Sequence, residues 1–524
     1  MGLEIFNTPT GKRAIYYHTN WSGYARDYQV NDLPESVMDI SYAFWDVTPT
    51  GGIVSTDPWA DFDKRFTSGG VPPQDTWNDS GSGMYGNFNQ LKKLRDSGRK
   101  INATLSLGGW TLSKNFSPAM STEQTRTNLV NNIISAFKKY PIFTGVSLDW
   151  EYVSNDGVNH GNAGNISRPE DSDNFILFLQ KLRNAFNNEP GMSKYIIAMC
   201  CVADPNKAKF DVEGMHPYLD ELHIMTYDFH DGNWGDTIAR HHTNPRKSQF
   251  SAFSCEEAAD YYINRGVPST KCFIGVAFYS RGFSNATAIG APSSGGSPDM
   301  SWDKGCVDYK GLPVQGATEF FDTEAKAAYS YDPVKKVINS YDNVESTKEK
   351  CRIVFEKNLG GILIWESSAD APGNRSLIDT MAKNLTHGIV SPDPAAGPTP
   401  ISTVPSSTKP DPVPVVTTPV VNIPPVVTTP VVTGQTTWTD NTSYKVNDTV
   451  VYQGEHYMCL QQHTSNPGWV PSLTLNILWI KTPTPPVVST PTPPVVSTCD
   501  CTCKLKNMKL TIDVENGKIS GKIE

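Results

Sequence analysis

Eight strand-like apolar segments recur through the first 388 residues of this 524-residue chain, with helical patterns between several of them. They are Ala14–Tyr17, Asp39–Trp45, Ile101–Leu107, Gly145–Asp149, Ile196–Val202, Glu221–Met225, Phe273–Phe278 and Gly361–Trp365. Between the fourth and fifth, Phe175, Leu179, Leu182 and Phe186 recur at i, i+4, i+7 and i+11, the spacing of a helix with one buried face. A second helical pattern covers Val344–Leu359. Parallel strands need long crossovers, and helices supply them. Eight such units close into a (β/α)8 TIM barrel, whose reactive groups belong at the C-terminal ends of the strands. The connection after the seventh strand is too long for one helix, so about 284–337 reads as an insertion.

The chain is too long for one ordinary domain. Composition changes near residue 388, where Pro, Thr, Val and Ser take over until about 434. PVVTTPVV occurs at 414–421 and again at 425–432, and PTPPVVST at 483–490 repeats at 491–498. Such segments build no packed core and favour extended polyproline II, so 389–434 and 483–498 act as semi-rigid spacers. Between them, 435–482 is a compact all-β module. The tail, 499–524, places three thiols in Cys499-Asp500-Cys501-Thr502-Cys503 and has Asn516-Gly517 as a candidate hairpin turn. Disorder is the expectation for this tail, and no role is assigned to it.

The net charge is −9 without a basic block, which excludes nucleic acid and anionic membrane surfaces as expected partners. No apolar run reaches the roughly 20 residues of a membrane span. The first residues, Met1-Gly2-Leu3-Glu4-Ile5-Phe6, lack the basic-then-apolar pattern of a signal peptide. Cys200 and Cys201 fall in a strand and face opposite ways, so they are not expected to pair.

The octet Thr144-Gly145-Val146-Ser147-Leu148-Asp149-Trp150-Glu151 carries the chemistry. Alternation puts Ser147, Asp149 and Glu151 on one strand face, with Cα atoms two residues apart separated by roughly 6–7 Å. Carboxylates this close shift each other's pKa values. The octet resembles D-G-x-D-x-D-x-E, the signature of the glycoside hydrolase family 18 chitinases, with Thr144 and Ser147 standing where that family usually has Asp. Four further segments follow in family order. Ser106-Leu107-Gly108-Gly109-Trp110 resembles S-x-G-G, Met225-Thr226-Tyr227-Asp228 resembles M-x-Y-D, Phe278-Tyr279-Ser280-Arg281-Gly282 resembles [FL]-Y-G-R-G, and Gly360–Glu366 resembles G-G-x-x-x-W-E. Tyr17 and Phe44 also match family positions.

The resemblance implies a retaining, substrate-assisted chitinase that needs no cofactor or metal. Glu151 would be the acid/base, Asp149 would orient the substrate's acetamido group, and Tyr227 would hold its oxygen. Tyr17, Phe44, Ser106, Gly109, Trp110, Ser147, Met225, Asp228, Tyr279, Arg281 and Trp365 would line the sugar site, with Ser147 donating a hydrogen bond to Asp149. The family's small α+β domain is expected in the insertion. Residues 435–482 resemble carbohydrate-binding families 5 and 12, which implies a chitin-binding face at Trp469, His463, Thr464 and Pro471 over a core of Trp438, Tyr457 and Trp479. Chitin and chito-oligosaccharides are the implied partners of a monomer acting outside the cell. The alternatives are a chitin-binding lectin and an endo-β-N-acetylglucosaminidase acting on N-glycans. Lectin barrels usually lose the acid that Glu151 preserves.

Overall fold

A computed structural model describes residues 5–66, 75 and 85–387, and 436–439, 442–445, 448–459, 463–465, 470–471, 478–482, 504–505, 508–515 and 518–523. The chain divides into two units, Met1–Thr408 and Lys409–Glu524.

The first unit is a closed parallel barrel. Its strands are β1 (Arg13–Thr19), β2 (Asp39–Val47), β3 (Asn102–Gly108), β4 (Gly145–Asp149), β5 (Ile196–Val202), β6 (Glu221–Met225) and β7 (Cys272–Ala277), closed by Gly361–Trp365, which pairs with both β7 and β1. The β1–β2 pairing completes the ring. All eight strands expected from the sequence are present, with ends moved by at most two residues. Among the helices that cross over between them are α1 (Gly86–Asp96), α2 (Glu123–Lys139), α3 (Asp171–Asn188) and α4 (Cys255–Ile263). The α3 helix buries Phe175, Leu179, Leu182 and Phe186, the stripe that the 3.6-residue period picks out.

Two apolar layers result. The larger lies between barrel and helices and holds the outward residues of the strands, among them Val146, Leu148 and Trp150. The smaller fills the barrel interior and holds Ile15, Tyr17, Ala43, Phe44, Cys200, Phe273 and Leu363, with Met225, Tyr227 and Trp365 packed on it. One strand therefore serves two environments, because its side chains alternate.

After β7 the chain forms an antiparallel sheet, β8 (Arg281–Ser284), β9 (Thr318–Asp322), β10 (Ala327–Asp332) and β11 (Val337–Tyr341), in the order β9-β10-β11-β8. The sheet starts and ends slightly outside 284–337. Its helical neighbour is α5 (Val344–Glu356), which packs on β10 as well as on β7. Asn343 caps this helix by accepting from the Glu345 and Ser346 amides. The last barrel strand, β12 (Gly361–Trp365), is followed by α6 (Leu377–His387).

In the second unit, Thr436–Thr437, Thr449–Tyr452, Glu455–Cys459 and Trp479–Thr482 form one sheet, and Ser443–Tyr444 pairs with His463–Thr464. Tyr444, Tyr457 and Trp479 are buried in its core, with Trp438 packed against them half-buried. Pro471 is buried as well. This corrects its assignment to the chitin-binding face: a ring enclosed in the module offers nothing to a flat polymer surface. Trp469 lies outside the described residues, as do the side chains of His463 and Thr464, both spacers and Cys499–Cys503. The tail expected to be disordered instead contains an antiparallel pair, Met508–Glu515 with Lys518–Ile523. Its register ends at Glu515–Lys518, and the candidate turn Asn516-Gly517 lies outside the described residues.

Candidate active site

The β4 strand sets the site. Trp150 faces outward, 2% exposed, stacked on Phe116 at 5.3 Å and edge-on to Phe175 at 5.5 Å. That anchor turns Asp149 and Glu151 inward at the strand's C-terminal end. The backbone of this turn is pinned from two sides. Gly109 N–H donates to the Asp149 carbonyl at 2.7 Å, and Glu151 N–H donates to Ser113 Oγ at 2.8 Å. Asn165 Nδ2 donates to the Glu151 carbonyl at 2.9 Å. Gly109 has φ +99°, and a Cβ there would lie 2.9 Å from the Phe44 ring. Only glycine lets the β3 turn pass this close to Phe44 in that conformation.

Asp149 and Glu151 are both buried, 4% and 8% exposed. Burial pushes the Asp149 carboxyl up to about 7, and its Oδ1 has no hydrogen-bond partner among the described residues. Glu151 is held well above the usual carboxylate range, first by burial and then by the Asp149 charge. The pair therefore separates into a carboxyl that ionises near neutrality and one that keeps its proton longer, which is the division of labour that acid catalysis requires.

A second cluster stands on β6 and β8. Asp228, at φ +58°, accepts through Oδ1 from the Tyr279 hydroxyl at 2.8 Å and from Arg281 Nε at 2.7 Å. Burial raises this carboxyl, but the Arg281 guanidinium and His242 more than offset that and hold it well below the usual range. Asp228 thus stays a carboxylate throughout the range in which Asp149 gains and loses its proton. His242 accepts from the Asp228 amide on Nδ1 at 3.3 Å and faces the Tyr279 carbonyl with Nε2 at 3.2 Å, an arrangement for a neutral ring. The Tyr227 and Tyr279 rings meet edge to face at 6.1 Å.

Trp365 ends β12, half-buried, stacked with Phe44 at 5.5 Å and tilted against Tyr17 at 5.8 Å. Trp110 is 49% exposed and stands edge-on to Tyr152 at 6.4 Å. Met225 is half-buried in the same interior cluster.

Three expected sugar contacts, Ser106, Ser147 and Tyr17, are corrected by burial. Ser106 and Ser147, opposite one another in the β3–β4 register, are both fully enclosed and lie beneath the carboxylates. Nor is Ser147 bonded to Asp149: its Oγ lies 3.0 Å from the Tyr17 hydroxyl and 3.8 Å from Cys200 Sγ. Tyr17 itself is 2% exposed. Five residues tied to the site escaped the sequence motifs: Ser113, Asn165, Cys200, His223 and His242. Cys200 and His223 were reachable by carrying period-2 alternation down β5 and β6. Ser113, Asn165 and His242 sit on connections, where no local pattern marks them.

The barrel matches the model of glycosyl hydrolases family 18 over residues 13–370. The chain belongs to that family. This family 18 chain is 35% identical to Endochitinase 1 of Metarhizium robertsii over 72% of its own length and 88% of the relative's. It is 30% identical to Chitinase A1 of Niallia circulans, over 74% of its length and 60% of the relative's. Among solved structures it is similar to chitinase ChiA74 of Bacillus thuringiensis, with TM-score 0.64, 29% identity and coverage of 73% and 71% of the two chains. The catalytic domain of the psychrophilic chitinase B of Arthrobacter TAD20 gives TM-score 0.64 at 28% identity, covering 74% and 98%. Residues 437–479 match carbohydrate-binding module family 5/12.

Proposed function

We propose that this family 18 enzyme is a chitinase that hydrolyses β-1,4 linkages between N-acetylglucosamine units with retention at the anomeric carbon, acting outside the cell on insoluble polymer. The observation that carries the reading is the buried Asp149–Glu151 pair at the end of β4, whose environments push its two carboxyls to different working ranges. The distance between them on one short strand end leaves Asp149 beside Glu151 rather than across a sugar ring, so the second carboxylate that opposed-pair glycosidases use is supplied by the substrate's acetamido group.

In the first step the acetamido oxygen bonds to C1 as the glycosidic C–O bond breaks, and Glu151 gives its proton to the departing oxygen. Asp149 holds the acetamido N–H and offsets the positive charge of the resulting oxazolinium ion. Tyr227 steadies the acetamido oxygen. In the second step Glu151 takes a proton from water, which attacks C1 and reopens the ring. Two inversions at C1 leave its configuration unchanged. Trp365 and Phe44 form an apolar floor for the sugar being cleaved, while Trp110 extends the cleft. The Tyr279–Asp228–Arg281 cluster lines the opposite wall. The carbohydrate-binding module, tethered by its spacer, raises the local concentration of barrel at an insoluble surface.

The test is hydrolysis of colloidal chitin and chitin oligomers, with the anomer of the fresh reducing end followed by proton NMR. Release of β-anomer first supports the reading. Release of α-anomer first excludes the acetamido route, and no release by well-folded protein excludes hydrolysis. The lectin alternative predicts that last outcome with chitin retention intact.

Ser147→Asp offers a separate check. It adds a carboxyl two residues from Asp149, and two carboxyls sharing a site lose their first proton early. The acid limb of the pH–rate profile should move to lower pH by about one unit. An unmoved limb would remove Ser147 from any control over Asp149.

A further inference from the structure

A hydrogen-bonded chain runs down the barrel axis beneath Asp149. The Tyr17 hydroxyl lies 3.0 Å from Ser147 Oγ, 2.9 Å from Cys200 Sγ and 2.9 Å from His223 Nδ1. His223 Nε2 lies 3.0 Å from Glu221 Oε2, and the other oxygen of Glu221 is bonded to Arg13, which also bonds Asp39. Every member faces the barrel interior: Cys200 is the register partner of His223 across β5–β6, and Phe273 is its partner on β7. His223 is fully enclosed.

Hydrogen counting fixes the directions. Burial raises the Glu221 carboxyl, but Arg13 and His223 more than offset this and bring it to about 2, so it is ionised. It only accepts, and His223 Nε2 must carry a hydrogen. In the neutral ring, Nδ1 then accepts the single Tyr17 hydrogen. The Tyr17 oxygen in turn accepts from both Ser147 and Cys200. Neither has a hydrogen left for Asp149, whose Oδ1 is unpartnered among the described residues. In the protonated ring all directions reverse: Nδ1 donates to Tyr17, Tyr17 donates onward, and the Cys200 thiol is free to donate to Asp149, since the two residues directly follow the Leu148–Met199 register pair of β4 and β5. The same heavy-atom distances serve both arrangements.

We propose that His223 is a positioning residue that shares a proton with Asp149 through Cys200 and Tyr17, and so sets when Asp149 is a carboxylate. The transfer balances. The Asp149 O–H bond breaks as an S–H bond forms on Cys200, whose own hydrogen passes to the Tyr17 oxygen, whose hydrogen passes to His223 Nδ1. Only Asp149 and His223 change charge. The surroundings accept the imidazolium: Glu221 on its own strand, Arg13 of β1 and Asp39 of β2 set one cation against two carboxylates, Tyr17 and Cys200 are neutral, and β7 offers only the edge of Phe273 at 5.8 Å. The network gives Asp149 a titratable partner that Ser147, beside it on β4, is unable to be. This inference rests on Asp149 working as a carboxylate beside Glu151.

Two experiments test it, one independent of activity. In full-length protein labelled with 15N-histidine, assigned by comparison with His223→Gln, the His223 ring should be the Nε2–H tautomer at pH 9. At a fixed pH on the acid limb, its ring 15N shifts should move toward those of the pH 9 form in Asp149→Asn, as coupled sites require. An Nδ1–H tautomer, or ring shifts unmoved by Asp149→Asn, overturns the proposal. In kinetics on chito-oligosaccharides, His223→Gln should raise the acid limb of kcat/KM by about one unit with KM within about twofold. A uniform loss across pH would mean a structural role and overturn it. Should His223→Gln fail to fold, Cys200→Ala cuts the same chain and should raise the limb alike, while Cys200→Ser restores a relaying group and should return it. If the wild type hydrolyses nothing, the proposed function falls, and the NMR coupling still decides whether the proton is shared.

Discussion

Glu151→Gln will lower kcat on chito-oligosaccharides by about 10^3-fold or more, at the upper part of what a positioned acid–base supplies. Glutamine keeps the shape and the backbone bonds to Ser113 and Asn165, but it has no proton to give the leaving oxygen. Because the acetamido group still occupies its place, KM should stay within about threefold, the pattern of an interaction made only in the transition state. Binding to insoluble chitin by residues 437–479 should be unaffected, since that module matches its family independently of the barrel. The pH profile separates this from general damage. Burial and the Asp149 charge hold the Glu151 proton well above the usual carboxylate range, so Glu151 deprotonation is the alkaline limb in the wild type. The residual rate of Glu151→Gln should lack that limb. A loss below about tenfold would mean that another group protonates the bond and that Glu151 is not the acid.

The barrel was legible because its signal is local and repeated. Eight apolar segments in one chain leave few topologies, and alternation along β4 alone places Asp149 and Glu151 inward with Trp150 outward. The contacts below them were not legible. Ser147 sits two residues from Asp149, so a hydrogen bond between them was the natural expectation, yet its hydroxyl turns to Tyr17, which comes from β1, 130 residues away. Which of two partners a buried hydroxyl takes depends on what the opposite barrel wall offers, and sequence distance hides that. His223 shows the same limit. Its inward direction follows from period 2, but its bond to Glu221, two positions away on the same face, matters only because Arg13 holds that carboxylate from across the barrel. Pro471 failed for a different reason: its place on the binding face came from the module's resemblance alone, and the packing of the module encloses it.

Asp149→Ala should cost nearly as much activity as Glu151→Gln, about 10^2–10^3-fold in kcat, because removing one preorganised group that meets developing charge typically costs that much. The acetamido group would lose the acceptor for its N–H, and the oxazolinium ion would lose its nearest negative charge. The acid limb near pH 7, where the Asp149 carboxyl ionises, should disappear with it. Stability gives the opposite sign. Burial raises this carboxyl from 3.8 in the free side chain to about 7 in the fold, so the native state binds the proton more tightly than the unfolded chain. Folding stability from this group is therefore complete below the lower value, declines as pH rises through the window between the two, and stays lost above about 7. Asp149→Ala removes that decline. Whatever fixed cost its small cavity brings, the thermal midpoint of the variant relative to the wild type should rise between pH 4 and pH 8. A difference constant with pH would mean that Asp149 carries no buried charge, and the acid limb would then have to be assigned to another group. Lost turnover with a relative stability that improves from pH 4 to pH 8 is the signature of a carboxylate kept in a place that costs the fold energy because the reaction needs it there.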